Sequence, residues 1–404
     1  MIKMELVLSD KINRIQTSQT IQIADITREL IAKGRKIISL NQGEPDFETP
    51  DHIKEAAIKA IKDGNTKYSY VDGMPLLKEA ISKKFLSENS LDYKLSEISV
   101  GTGCKQIIFN ALMSLLNPGD EVIIPSPYWV SYRDIVEFAE GIPTLIDCSI
   151  ENGFKLTSDD LESAINKSTR CLIINNPTNP TGSVYSHDEL KSISNVLDKY
   201  PNVFIISDDI YEYLVYDNCK FHTIAQIDEN IKMRTLTCNG MSKSFCMTGW
   251  RLGYGGGPKI LIDAMSKLQS QSTFHPSTIS QYAAIAGLNG SREFIAQQKK
   301  SYEERRNITI SYLNNIDGIS CNTPEGSFYA FPSCMNLYGR LTPNGEILKN
   351  DVDVCKYILQ KAEVSVTPGS FFGKKDYFRV CYTAEKKLLL DALERISNAF
   401  TLIK

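Results

Sequence analysis

The sequence predicts an α/β fold built on a mainly parallel sheet, and three observations predict it. Between about residue 50 and residue 290, helical stretches alternate with short apolar runs, the pattern of stacked strand-helix units. The runs Glu121 to Ile124, Cys171 to Ile174, Val203 to Ile206 and Thr235 to Cys238 are each short enough for a strand buried on both faces. Each run is followed by a polar or aromatic cluster, and open sheets of this kind collect ligand groups in loops beyond the carboxyl ends of their strands.

Taken in order, Ile98-Ser99-Val100 reads as a strand and Gln106 to Leu116 as a helix, joined by Gly101-Thr102-Gly103-Cys104-Lys105. Backbone N–H groups at such a helix start make an anion site, although a tight strand-to-helix connection explains the glycines equally well. The next loops carry Pro127-Tyr128-Trp129, then Asn176-Pro177-Thr178-Asn179-Pro180, which is turn chemistry throughout with room for a cis-proline. After them come Ser207-Asp208-Asp209-Ile210-Tyr211 and Gly240-Met241-Ser242-Lys243, so four strands are expected to deliver one site. The last hundred residues differ: a charged helical stretch around Ser301 to Tyr312 precedes Pro324-Glu325-Gly326-Ser327-Phe328-Tyr329 and Val364-Ser365-Val366-Thr367-Pro368-Gly369. This reads as a smaller α+β domain. The expected division is a large domain over 51–289 and a small one made of 1–50 with 290–404.

Composition narrows the function classes. The 404 residues, 42% of them hydrophobic, exceed one comfortable domain, and a net charge of -3 leaves no footprint for nucleic acid or an acidic membrane. The expected ligand is a small molecule. The first eleven residues mix Glu5 and Asp10 with two lysines, unlike a secretory signal, and no uncharged stretch approaches the roughly 18 residues of a spanning helix, so the expected location is the cytoplasm. Ten cysteines show no Cys-x-x-Cys pair and no clustering with the four histidines, which argues against a metal site or a disulfide framework.

One loop lysine proves little, but Lys243 has company: Arg251 eight residues on, able to grip a phosphate with two N–H groups, and Asp208 at the end of another strand. An amine able to condense with an aldehyde, a phosphate grip and an acid are the parts that a pyridine aldehyde phosphate requires. A carboxylate beside the ring nitrogen keeps it protonated. Tyr211 and Asn179 are candidate donors to the ring's phenolic oxygen, and Trp129 is a candidate to stack on its face. Each has a plainer explanation: capping carboxylates for Asp208 and Asp209, a rigid turn for Asn179, a core residue for Trp129.

Together, Gly-Glu-Pro-Asp-Phe (43 to 47), Asn-Pro-Thr-Asn-Pro-Thr-Gly (176 to 182), Ser-Asp-Asp-Ile-Tyr-Glu (207 to 212) and Ser-Lys-Ser-Phe-Cys-Met-Thr-Gly-Trp-Arg-Leu-Gly-Tyr (242 to 254) resemble class I aminotransferases of fold type I. The likeness runs from about Arg14 to the carboxyl end and is strongest to the bacterial-type aspartate aminotransferases of subgroup Ib. It implies pyridoxal 5'-phosphate as cofactor and Lys243 as the residue that binds it covalently and then moves the substrate proton. It gives Asp208 to the ring nitrogen, Tyr211 and Asn179 to the phenolic oxygen, Trp129 to the ring face, and Gly103, Cys104, Ser242 and Arg251 to the phosphate. Arg379, in Tyr377-Phe378-Arg379-Val380-Cys381-Tyr382, matches the arginine that holds the substrate α-carboxylate, and Gly43 lets the backbone approach that group. The resemblance also implies an obligate homodimer in which Tyr68 reaches the partner's cofactor phosphate, with Tyr70 the next choice.

For the substrate, the resemblance implies ping-pong transfer of an amino group from aspartate to 2-oxoglutarate, giving oxaloacetate and glutamate. No arginine stands in Gln269-Ser270-Gln271-Ser272-Thr273, where the other major subgroup reads the distal carboxylate; Lys105, Ser18 and Thr20 match the subgroup Ib residues for that task. Two departures bear on this. Gly240 stands where many relatives have Ser or Thr, leaving a phosphate contact to Ser242 or Thr102, and Gln16-Thr17 replace a basic residue and proline, which counts against prephenate as a second substrate. The rival readings are an aminotransferase for aromatic or other amino acids, a β-lyase on the same cofactor site, and a DNA-binding regulator. About forty residues before Gly43 are too few for a helix-turn-helix module of the last kind.

Overall fold

A computed structural model describes residues 6–15 and 27–404 of the chain. Its centre is a seven-stranded sheet of Ile98–Gly101 (β1), Glu121–Ser126 (β2), Ile142–Asp147 (β3), Thr169–Asn175 (β4), Phe204–Asp208 (β5), Thr235–Gly240 (β6) and Gly253–Gly256 (β7), in the spatial order β1-β7-β6-β5-β4-β2-β3. β2 to β6 pair in parallel, and β7 runs antiparallel to both of its neighbours, β1 and β6. The predicted α/β class holds, and the four predicted apolar runs fall on strands, with Val203 alone one residue ahead of its strand.

The strands form where β-branched residues can be buried on both faces: Val122, Ile123, Ile124, Ile173, Ile205 and Ile206 are all essentially inaccessible to solvent. Helices pack on both sides, among them Cys104–Leu115, whose Ile107, Ile108, Ala111 and Leu112 share a core cluster with β2, β4 and β6. Parallel neighbours point their carboxyl ends to one edge, which is why the loops after β2, β4, β5 and β6 converge.

Smaller sheets lie in the carboxyl-terminal part. Phe378–Cys381 is the middle strand of an antiparallel trio, between Thr367–Pro368 and Tyr329–Ala330. Ile38–Ser39 pairs in parallel with Val364–Ser365, and Arg35 Nε donates to Glu363 Oε1 at 2.5 Å, so residues 35–39 are bound to the carboxyl-terminal part, whereas the helix Asp10–Arg14, expected in the same small domain, pairs through Lys11 and Arg14 with Glu140 beside the central sheet. The helices Glu293–Asn314 and Lys386–Phe400 cover this part and bury Tyr302, Leu313, Leu389, Leu393 and Ile396 in a common core. Among the described residues, no helix is long and apolar enough to cross a membrane.

Candidate active site

The buried acid comes first, because the end of β5 fixes it. Asp208 is the last residue of that strand and only 4% exposed. Tyr132 Oη donates to its Oδ2 at 2.6 Å, while Cys104 Sγ at 3.5 Å and the Ile210 N–H at 3.4 Å donate to its Oδ1. Burial pushes the carboxyl up, opposed by the Tyr132 and Cys104 hydrogen bonds, the Ile210 N–H and the charge of Lys243. Three donors aimed at one carboxylate favour its ionised form. The neighbouring loop is tied to the same strand end: Asn175 Nδ2 donates to the Asp208 carbonyl at 2.8 Å, and Asn175 Oδ1 accepts from the Asn179 N–H at 2.8 Å. The Asn176-Pro177 and Asn179-Pro180 bonds in this loop are cis.

Lys243 follows β6 and points its amine across the cavity to the Gly43 carbonyl, at 2.6 Å. Burial lowers its pKa to about 8; Cys381 and Glu44 oppose the fall, and the charges of Arg379 and Arg251 add to it. The amine stands within 6.0 Å of the Tyr211 ring centroid and 5.7 Å of that of Phe328. An amine with a depressed pKa beside a cavity is chemically available both as nucleophile and as base.

Arg379 lies in the middle strand of the small antiparallel sheet, and it faces inward, 5% exposed, rather than outward as a simple alternating strand would allow. Nη1 donates to Asn179 Oδ1 at 2.9 Å and Nη2 to the Asn41 carbonyl at 2.7 Å. Its Nε is buried with no hydrogen-bond partner. The guanidinium lies over two rings, 4.5 Å from Tyr329 and 4.6 Å from Phe372. A buried guanidinium with no carboxylate partner among the described residues suits an anion in the cavity that it lines. Gly43 borders this spot, and a Cβ there would collide with the Tyr329 hydroxyl, so the backbone can approach only without a side chain.

At the other end of the cavity, Cys104 and Lys105 head a 12-residue helix capped by Gly103 in a left-handed conformation, φ +94°. A Cβ on Gly103 would come 2.7 Å from Arg251 Nη2, which shows how closely this guanidinium lies against the glycine turn. Arg251 Nη1 is fixed by the Thr248 carbonyl at 2.7 Å, and the buried Ser242 lines the same region. A helix amino terminus, a guanidinium and a hydroxyl form an anion cradle. Lys105 Nζ sits 4.9 Å from the Trp129 ring, and that ring meets Tyr132 edge-on at 5.3 Å.

The cavity measures about 670 Å³. Of the residues singled out in the sequence, Gly43, Cys104, Lys105, Trp129 and Asn179 line it, as do Asp208, Tyr211, Ser242, Lys243, Arg251 and Arg379. Gly103 lies immediately behind, against Arg251. Tyr68 is not among the lining residues of its own chain; it is 90% exposed and packs edge-on against Phe274 at 5.5 Å. Ser18, Thr20 and Gln16 lie outside the described residues. Sequence reasoning gave no role to Arg28, Asn41, Tyr132, Tyr329 or Phe372, which also line the cavity. Tyr132 stands in the first turn of the helix Ser131–Phe138, directly after the loop that carries Trp129, so the same connection delivers both side chains.

The family model for aminotransferases of class I and II matches residues 35–396. The chain belongs to this aminotransferase family. Among its relatives, an aspartate aminotransferase of Rhizobium meliloti strain 1021 is 48% identical over 97% of this chain and 95% of its own. A probable aspartate/prephenate aminotransferase of Rickettsia bellii is 50% identical over 97% of this chain and 98% of its own. The crystal structure of an aspartate aminotransferase from Rhizobium meliloti superposes with a TM-score of 0.97 at 46% identity, covering 99% of this aminotransferase and 100% of that chain. The Thermus thermophilus aspartate aminotransferase with maleate superposes with a TM-score of 0.91 at 35% identity, over 98% and 100% of the two chains. Residues 35–396 hold every lining residue of the cavity except Arg28, so the family assignment and nearly all of the cavity rest on the same stretch of chain.

Proposed function

We propose that the protein is a pyridoxal phosphate-dependent aspartate aminotransferase, which moves an amino group from aspartate to 2-oxoglutarate in two half-reactions. The observation that carries this reading is a single cavity lined by a half-buried amine, Lys243, a buried acid, Asp208, and a buried guanidinium with a free donor, Arg379. The donor set fits pyridoxal phosphate: the helix start at Cys104 with Arg251 and Ser242 would hold the phosphate, Asp208 the ring nitrogen, Tyr211 and Asn179 the phenolic oxygen, and Trp129 the ring face. Once bound, the cofactor serves as an electron sink for the substrate α-carbon.

Arg379 holds the substrate α-carboxylate through its guanidinium, and that grip turns the α-hydrogen toward Lys243. The Lys243 amine takes that proton as general base and, as the ammonium formed, holds it for return, so one side chain would serve both proton steps. Asp208, hydrogen-bonded by Tyr132, Cys104 and the Ile210 N–H, would stand beside the ring nitrogen, where its carboxylate would favour the protonated ring. The small domain, 1–50 with 290–404, closes on the large domain, 51–289, and excludes water from these steps.

Lys105 decides the substrate. Its ammonium beside Trp129 is the cation for a distal carboxylate, and the relatives named above carry aspartate in their names. Lys105→Leu is expected to lower kcat/KM for aspartate by roughly 10- to 100-fold, the worth of one hydrogen bond to a charged group, while leaving phenylalanine nearly unchanged. Equal losses on both donors would favour the aromatic reading. We further infer a homodimer in which the exposed Tyr68 reaches the partner's phosphate cradle. Small-angle scattering should then give twice the chain mass and a contraction on adding a dicarboxylate such as maleate; a monomer, or an unchanged radius, would contradict the dimer or the closure respectively.

A further inference from the structure

We propose that Tyr329 is a positioning residue that ties the carboxylate grip of Arg379 to the hydroxyl of Tyr211. The proposal rests on the reading of the cavity as an aminotransferase site, and it assigns a role to a residue that the sequence motifs left unused. Tyr329 is 2% exposed and makes two contacts that no other side chain in the cavity combines among the described residues. Its hydroxyl lies 2.9 Å from Tyr211 Oη, and its ring lies 4.5 Å from the Arg379 guanidinium carbon.

The direction of the Tyr211–Tyr329 hydrogen bond matters. Burial raises the pKa of both phenols, so each keeps its proton near neutrality and only one can donate to the other. With Tyr329 donating, the Tyr211 hydrogen is free to point into the cavity, toward the place proposed for the cofactor's phenolic oxygen. With Tyr211 donating, that hydrogen is used within the protein and the cavity loses a donor. Arg379 favours the first arrangement: its positive charge over the Tyr329 ring makes that phenol the better donor of the two. Gly43 keeps the arrangement possible, because any side chain there would displace the Tyr329 hydroxyl.

The two contacts separate by mutation. Tyr329→Phe keeps the ring under Arg379 and removes the hydrogen bond; kcat for aspartate should fall about tenfold, KM should stay within about twofold, and the ratio of the two absorbance bands of bound pyridoxal phosphate at pH 7 should change. Tyr329→Leu removes the ring as well, and KM for aspartate and the Kd for maleate should rise about tenfold or more. Because Tyr329 acts through Tyr211, the double variant Tyr211→Phe, Tyr329→Phe should be no slower than Tyr211→Phe alone and should show the same band ratio. Losses that multiply in the double variant, or a Tyr329→Phe enzyme identical to wild type in kcat and spectrum, would overturn the proposal. Wild-type protein that binds no pyridoxal phosphate would instead overturn the functional reading on which it rests.

Discussion

Lys243→Ala is expected to lose at least about 10⁴-fold of aspartate turnover, since under the proposed assignment it removes the covalent attachment of the cofactor and the general base together, and base catalysis alone is worth up to that factor. Stopped-flow kinetics with purified variant and added pyridoxal phosphate checks this. A rate within tenfold of wild type would show that another group moves the proton. The environment of the lysine adds a pH dependence. With its pKa lowered to about 8 by burial and by the charges of Arg379 and Arg251, the amine is neutral in about a tenth of the molecules at pH 7, against about one in three thousand for an ordinary lysine. Only the neutral amine condenses with an aldehyde, so the rate of cofactor uptake by the apoprotein should rise from pH 6 and level off near pH 9. A rate still climbing at pH 10.5 would contradict the depressed value. The sign for stability follows: between about pH 8 and 10.5 the unfolded chain carries a proton that the folded lysine lacks, so the apoprotein gains stability with rising pH in that window.

Arg379→Ala should cost the enzyme roughly 30- to several thousand-fold in kcat/KM for aspartate, the loss of about 2–5 kcal/mol expected when one partner of a buried charge pair is removed. The size follows from the preparation of the site. Two of the three guanidinium nitrogens are already held, by Asn179 and the Asn41 carbonyl, and rings lie on the cation, so little freedom remains to be lost when a carboxylate arrives. Removing the arginine should raise KM steeply while the cofactor still binds, because the proposed phosphate cradle is built from Cys104, Ser242 and Arg251 on the central sheet's loops and Arg379 comes from the small antiparallel sheet. Steady-state kinetics with an absorbance check of cofactor content separates the two effects. An unchanged KM would remove Arg379 from substrate binding.

How legible the fold was depended on burial. β2, β4, β5 and β6 are central strands with both faces covered, and their apolar runs stood out. β3 did not: it is one of the two edge strands, partly exposed with Pro143 inside it, and so carries no continuous apolar signal, unlike the buried edge strand β1. β7 was hidden by its composition, Gly-Tyr-Gly-Gly, where closeness to neighbouring groups rather than apolar bulk selects the residues; a Cβ on Gly255 would approach Ile107. In the site, Lys243, Asp208, Asn179 and Trp129 were legible because they terminate or follow the readable strands. Tyr329, Phe372 and Asn41 were not, because they come from short strands and loops of the carboxyl-terminal and amino-terminal parts, and their meeting with Arg379 depends on pairing across distant stretches of chain.

The most direct measurement is a single-turnover absorbance experiment in which purified, pyridoxal phosphate-loaded protein is mixed separately with aspartate, glutamate, phenylalanine and lysine. The account predicts fast conversion of the pyridoxal band to the pyridoxamine band with aspartate and glutamate only. Fast conversion with phenylalanine or lysine in their place would contradict the dicarboxylate preference assigned to Lys105, and a protein with no cofactor band would contradict the proposed chemistry of Lys243 altogether.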